Sequence, residues 1–150
     1  MIIVNEKYNF SVEDAHSHLK IPFKLENSYK RLNIKLEFEP GITPFHITRQ
    51  IADSFEAEFI PEEYRVGAMK EFIETVVLEN VITTSLTYNE RYLGAWHNKC
   101  PNQDIVISSS YSSLGYVKHA IEPGCYVLTL SLHSINCPVE AVLSVEVQDE

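Results

Sequence analysis

Hydrophobic and polar residues alternate with a period of two over much of this chain. Leu19, Ile21, Phe23 and Leu25 point one way, and His18, Lys20, Pro22 and Lys24 the other. Side chains two apart on a strand share a face, so this stretch predicts a half-buried strand. Pro22 has no N–H to give to a ladder, which places the strand at a sheet edge or at a bulge. After a turn-rich ENSYK the pattern resumes: Leu32, Ile34, Leu36 and Phe38 alternate with Asn33, Lys35, Glu37 and Glu39 until Pro40-Gly41. Two alternating strands joined by a short polar link predict a hairpin.

Residues 42–75 break the alternation. The acidic stretch DSFEAEFIPEEYRVGAMKEFIETV holds the one candidate helix. Pro61 suits the first helical position, Glu62 and Glu63 suit the positive end of the macrodipole, and Tyr64, Ala68 and Phe72 recur every fourth residue. Residues 42–75 therefore form a helix-containing insertion. From residue 76 alternation returns in VITTSLTY (Ile82, Thr84, Leu86, Tyr88), DIVIS, YVLTLSLHS (Tyr126, Leu128, Leu130, Leu132) and AVLSVEV (Ala141, Leu143, Val145, Val147). NERYLGAWHNKCPNQ and SSSYSSLGYVKHAIEPGC are polar and turn-rich and read as loops. Six or more short, half-polar strands between Gly/Pro turns predict an all-β, mainly antiparallel β-sandwich or jelly roll with one short helical insertion.

A length of 150 residues suits one domain over 1–150. The net charge of −9 leaves no clustered Lys and Arg for phosphates, which excludes nucleic acid as partner, and it disfavours anionic membranes. No apolar run approaches the ~20 residues of a membrane span. The start, MIIVNEKYNF, has neither a basic n-region nor a cleavage site, so a cytoplasmic location is expected. Cys100, Cys125 and Cys137 show no CxxC spacing; three free thiols are expected, with a Cys125–Cys137 bridge as the alternative.

No phosphate loop, nucleophile elbow, HExxH or EF-hand loop occurs. His16 and His18 are two apart, so on a strand they would share a face and offer two ligands to a metal. A zinc site needs a third and usually a fourth ligand, and His46, His97, His119 and His133 form no further pair. The expectation is no metal and no cofactor, with His16 and His18 on the wet face of the strand. The run Arg91-Tyr92-Leu93-Gly94-Ala95-Trp96-His97-Asn98 is denser in residues that bind. Arg91, Tyr92, Trp96 and His97 are the candidate contacts, on a rim where an aromatic ring stacks on a sugar or a partner side chain. The alternative is that Trp96 plugs the end of the core.

Four pieces in order, HSHLKIPFKL, VITTSLTYNERYLGAWHN, DIVISSSYSSLGYVKHAIEPGCYVLTLSLH and CPVEAVLSVEV, resemble the β-sandwich domain that precedes the catalytic domain in CehA/McbA-like metallohydrolases of the PHP (polymerase and histidinol phosphatase) superfamily. The resemblance covers most of the chain outside 42–75. In the PHP catalytic domain an HxH pair opens the metal site. Here the pair falls in the leading strand of the accessory sandwich, and the later ligand motifs are missing. The resemblance thus implies a non-catalytic accessory module, free-standing or part of a longer protein, and carries over no catalytic residue.

Three functions follow, in order of preference: a binding or interaction module acting through Arg91, Tyr92, Trp96 and His97; a structural domain that docks on another subunit through a sheet face; and a small metal-dependent hydrolase using His16 and His18. The partners expected are a PHP-type hydrolase domain or another protein, or a carbohydrate.

Overall fold

The computed structural model describes residues 1–64 and 75–149. Among them eight strands form two four-stranded sheets. In chain order the elements are β1 (Ile2–Phe10), β2 (Ser17–Leu25), β3 (Arg31–Glu39), α1 (Phe45–Phe59), β4 (Val81–Tyr88), β5 (Arg91–Trp96), β6 (Asn102–Ser108), β7 (Gly124–Ser134) and β8 (Val139–Gln148). One sheet runs β1-β8-β3-β6 and the other β2-β7-β4-β5, with every pairing antiparallel. The all-β sandwich expected from alternation is the architecture observed.

The core lies where the alternation points. Leu32, Ile34, Leu36 and Phe38 of β3 and Ala141, Leu143, Val145 and Val147 of β8 face Ile82 and Leu86 of β4 and Tyr126, Leu128, Leu130 and Leu132 of β7, all buried. β2 is an edge strand, as Pro22 requires, so Leu19, Ile21 and Phe23 are only half-buried.

Two expectations change, and β1 and the start of α1 add to what was expected. β2 and β3 do not form a hairpin: they belong to different sheets, and the short polar link between them crosses the sandwich. The residues read as a loop at 91–96 form β5, joined to β4 by a two-residue turn. Asn89 and Glu90 both have positive φ (43° and 66°), the conformation of the turn that matches strand twist. The N-terminal stretch forms β1, an edge strand whose Asn5-Glu6-Lys7 hides any alternation. The helix lies at Phe45–Phe59, ahead of Pro61. Pro61 ends it, because the residue before a proline is pushed out of the helical region, and Ile60 is extended at φ −109°, ψ 121°. Glu62–Tyr64 make one 3₁₀ turn, and the remainder of the helix expected after Pro61 falls on residues 65–74, outside the described residues.

The chain leaves the sandwich and returns at one point. Thr43 N–H donates to the Leu78 carbonyl (2.8 Å) and Asn80 N–H to that of Gly41 (2.9 Å). Asn80 is buried and locks this root: its amide donates to the Pro40 carbonyl (2.8 Å), and its oxygen accepts from Asn136 N–H (2.8 Å). The three cysteines are free. A Cys125–Cys137 bridge is ruled out by topology, since Cys125 lies at the start of β7 and Cys137 beyond its end, with roughly 30 Å of extended strand between Cys125 and Ser134 at about 3.3 Å per residue, and a disulfide needs Cα atoms within about 7 Å.

Candidate functional site

The segment after β6 does not hang free. It turns back and pairs with both sheets at once. Ser113 N–H donates to the Val106 carbonyl, and Val106 N–H donates to the Ser113 hydroxyl (2.8 and 2.9 Å), which covers the outer edge of β6. Three residues on, Ala95 N–H donates to the Gly115 carbonyl (3.0 Å) and Val117 N–H to that of Leu93 (2.8 Å), which covers the outer edge of β5. This strap closes one side of the sandwich. Exposed edges invite pairing with foreign strands, and the strap removes two of them.

The crossing is close because it is built from glycines. A Cβ on Gly115 (φ 90°) would sit 2.1 Å from the Ala95 carbonyl oxygen, and one on Gly94 (φ 135°) 2.2 Å from that of Gly115. Below the crossing lies a buried polar network. The Tyr116 hydroxyl donates to the Thr84 carbonyl (3.0 Å) and sits 3.0 Å from the Thr84 hydroxyl. Thr84 also donates to Gln103 Oε1 (3.2 Å), and Gln103 Nε2 donates to the Ile82 carbonyl (2.7 Å), so β6 and β4 are joined across the core. Burial pushes the Tyr116 phenol far above its ordinary pKa and keeps it a neutral donor.

Trp96 stands opposite Thr84 at the end of β5. It packs against the core and also lines a cleft of about 450 Å³ formed with Ala95, His97, Asn98, Lys99, Leu114 and Gly115. Its indole Nε1 is buried and has no acceptor among the described residues. A buried donor without a partner costs about 1–3 kcal/mol. Asn98 Oδ1 caps the Cys100 N–H (2.9 Å), which fixes the loop forming one wall. Leu114 stands on the opposite lip, 90% exposed.

The four candidate contacts therefore do not form one platform. Trp96 and His97 line the cleft. Arg91 and the exposed Tyr92 begin β5 at the hairpin end, roughly 17 and 13 Å from Trp96 at about 3.3 Å per residue. Leu114 is the contact residue that sequence reasoning missed. Eighteen positions separate it from Trp96, and only the double pairing of the strap brings them together.

His16 and His18 do not share a strand face. His16 precedes β2 with φ 64°, a left-handed turn conformation, and its N–H donates to the Leu132 carbonyl (2.7 Å). His18 is exposed on β2, with Nδ1 2.9 Å from the Ser131 hydroxyl. Among the described residues no three His, Cys, Asp or Glu side chains converge as metal ligands would. His119 is different. Its ring lies against Tyr88 (centroids 4.7 Å apart) and its Nε2 is buried without a partner among the described residues. Burial, with the Arg91 charge adding to it, lowers its pKa below the ordinary histidine value.

No family model, curated protein or solved structure matches this chain. No helix among the described residues is long and apolar enough to cross a membrane.

Proposed function

We propose that this chain is a non-catalytic binding module that captures a segment of a protein partner in the cleft between Trp96 and Leu114. One observation carries the proposal. Leu114 is almost fully exposed, yet its neighbours on the strap, Ser113 and Tyr116, are buried and hydrogen-bonded to β6 and β4. An exposed leucine on a floppy loop is ordinary. One held between two anchored flanks is a preorganised apolar contact, which loses little entropy when a partner covers it. The cleft beside it adds the ring of Trp96, a residue type enriched at the energetic centres of interfaces.

We read the strand orders β1-β8-β3-β6 and β2-β7-β4-β5 as supporting a jelly roll within the sandwich class. Jelly rolls serve as lectin and capsid domains, so fold analogy supports a binding role without choosing the ligand. The resemblance to the accessory sandwich of CehA/McbA-like hydrolases rests on its sequence motifs alone, and it makes a PHP-type hydrolase domain one candidate partner. No observation favours the hydrolase built on His16 and His18.

The test is selection from a displayed random-peptide library on the immobilised protein, read against Leu114→Asp. Selected peptides should lose at least about tenfold in affinity, roughly 1.4 kcal/mol, for the variant. Binders indifferent to Leu114→Asp would refute the site. Oligosaccharides that bind at Leu114 where no peptide does would replace the protein partner with a sugar.

A further inference from the structure

A second exposed apolar surface lies on α1 and shares no residue with the cleft. Ile51, Phe55 and Phe59 recur every fourth residue and form one stripe, 40%, 50% and 63% exposed. The Phe55 and Phe59 rings touch, with centroids 4.8 Å apart, and with Gln50, Ser54 and Glu58 they line a shallow groove of about 370 Å³. Helices of globular proteins turn such a stripe to the core. Here the only buried residue of the helix is Thr48, near its start, where the chain leaves the root pinned by Asn80. The aromatic end of the stripe faces solvent.

The charge around the stripe selects its partner. Glu58 lines the groove, and by helical spacing Glu56 lies on the other flank of the stripe; Asp53, Glu62 and Glu63 add negative charge to the same helix and turn, against the single cation Arg49. We infer that the Ile51–Phe55–Phe59 face of α1 docks a basic amphipathic helix of a partner protein. Apolar contact along the stripe supplies the area, and lysines or arginines on the flanks of the partner helix meet the carboxylates, as in helix-in-groove recognition. A second copy of this chain would bring Glu56 and Glu58 against themselves. An anionic bilayer would be repelled for the same reason.

The test uses a synthetic 18-residue Leu/Lys amphipathic helix, a Leu/Glu helix of the same pattern, and phosphatidylserine-containing vesicles. The full-length protein is compared with Phe55→Ala/Phe59→Ala, which leaves every charge in place. The Leu/Lys helix should bind the native chain, weaken as salt screens the carboxylates, and lose about tenfold or more on the double substitution. Glu56→Gln/Glu58→Gln should weaken the Leu/Lys helix as well. Equal binding to native and Phe-deleted protein would reduce the effect to nonspecific charge attraction and overturn the inference. So would Leu/Glu binding as tight as Leu/Lys, vesicle binding, or a native dimer that the Phe substitutions dissolve. Phe55→Glu/Phe59→Glu should leave the thermal midpoint unchanged; a large drop would mean that the chain itself covers this face, and would also overturn the inference.

Discussion

Replacing Gly115 by alanine should loosen the strap that carries Leu114. The added Cβ meets the Ala95 carbonyl oxygen at 2.1 Å, backbone against backbone, with no flexible side chain to give way. The φ of 90° is itself unfavourable for any residue with a Cβ, by about 1–2 kcal/mol. Relief of the overlap requires the strap to lift off β5. Lifting breaks the Ala95 N–H to Gly115 and Val117 N–H to Leu93 bonds, each contributing about 1 kcal/mol net. The sum is about 3–4 kcal/mol, a large share of the 5–15 kcal/mol typical of a domain. Equilibrium urea unfolding reads it directly as a lower midpoint at unchanged slope. Because Gly94 meets the same crossing from the other side, Gly94→Ala/Gly115→Ala should cost clearly less than the sum of the single changes. A loss below about 1 kcal/mol for Gly115→Ala would mean that strap and strand are not in contact in solution, and the argument for a preorganised Leu114 would fall with it.

The remaining predictions concern histidines. His119 has a lowered pKa in the folded chain, from burial first and Arg91 second, so the folded state takes up its proton less readily than the unfolded one. Its contribution to stability is complete above the ordinary value of about 6.5 and is lost as pH falls through the lowered folded value. Urea midpoints measured stepwise downward from pH 7 should decline, and His119→Gln should flatten the first part of that decline. His16 holds a left-handed conformation, so His16→Gly should raise stability by about 0.5–1 kcal/mol. His18→Ala, on an exposed strand position, should stay within about 0.5 kcal/mol. Thermal unfolding distinguishes the two.

Alternation made β2, β3, β4, β7 and β8 legible because each buries one face against a continuous core. β1 was not, since Asn5, Glu6 and Lys7 sit in an edge strand where burial asks little of either face. β5 was read as a loop because its pairing register shifts between Leu86 and Thr87, and Leu93, Gly94 and Ala95 are buried in succession instead of alternating. The β2–β3 hairpin failed for another reason. A short polar link looks the same whether it joins neighbours in one sheet or crosses between two, and only the closing of β7 and β8 onto opposite sheets decides it. The start of α1 was missed because Pro61 drew the eye and Pro44, the residue ahead of α1, did not; the helix expected after Pro61 falls on residues outside the described ones. At the candidate site, Trp96 and His97, singled out by aromatic density, line the cleft. The spread of Arg91 and Tyr92 to the far end follows from β5 being extended, and Leu114 carried no local signal at all.

Trp96 is the only tryptophan, so its indole N–H gives a single resonance in a ¹H–¹⁵N spectrum, and that resonance reports on the floor of the cleft. Titration with a selected peptide is the direct measurement. Trp96 lines the cleft, so a peptide bound there changes the surroundings of the ring; the indole resonance should move in step with peptide saturation, and the movement should vanish in Leu114→Asp. An indole signal that stays in place while the peptide saturates the protein would contradict the assignment of the Trp96–Leu114 cleft as the binding site.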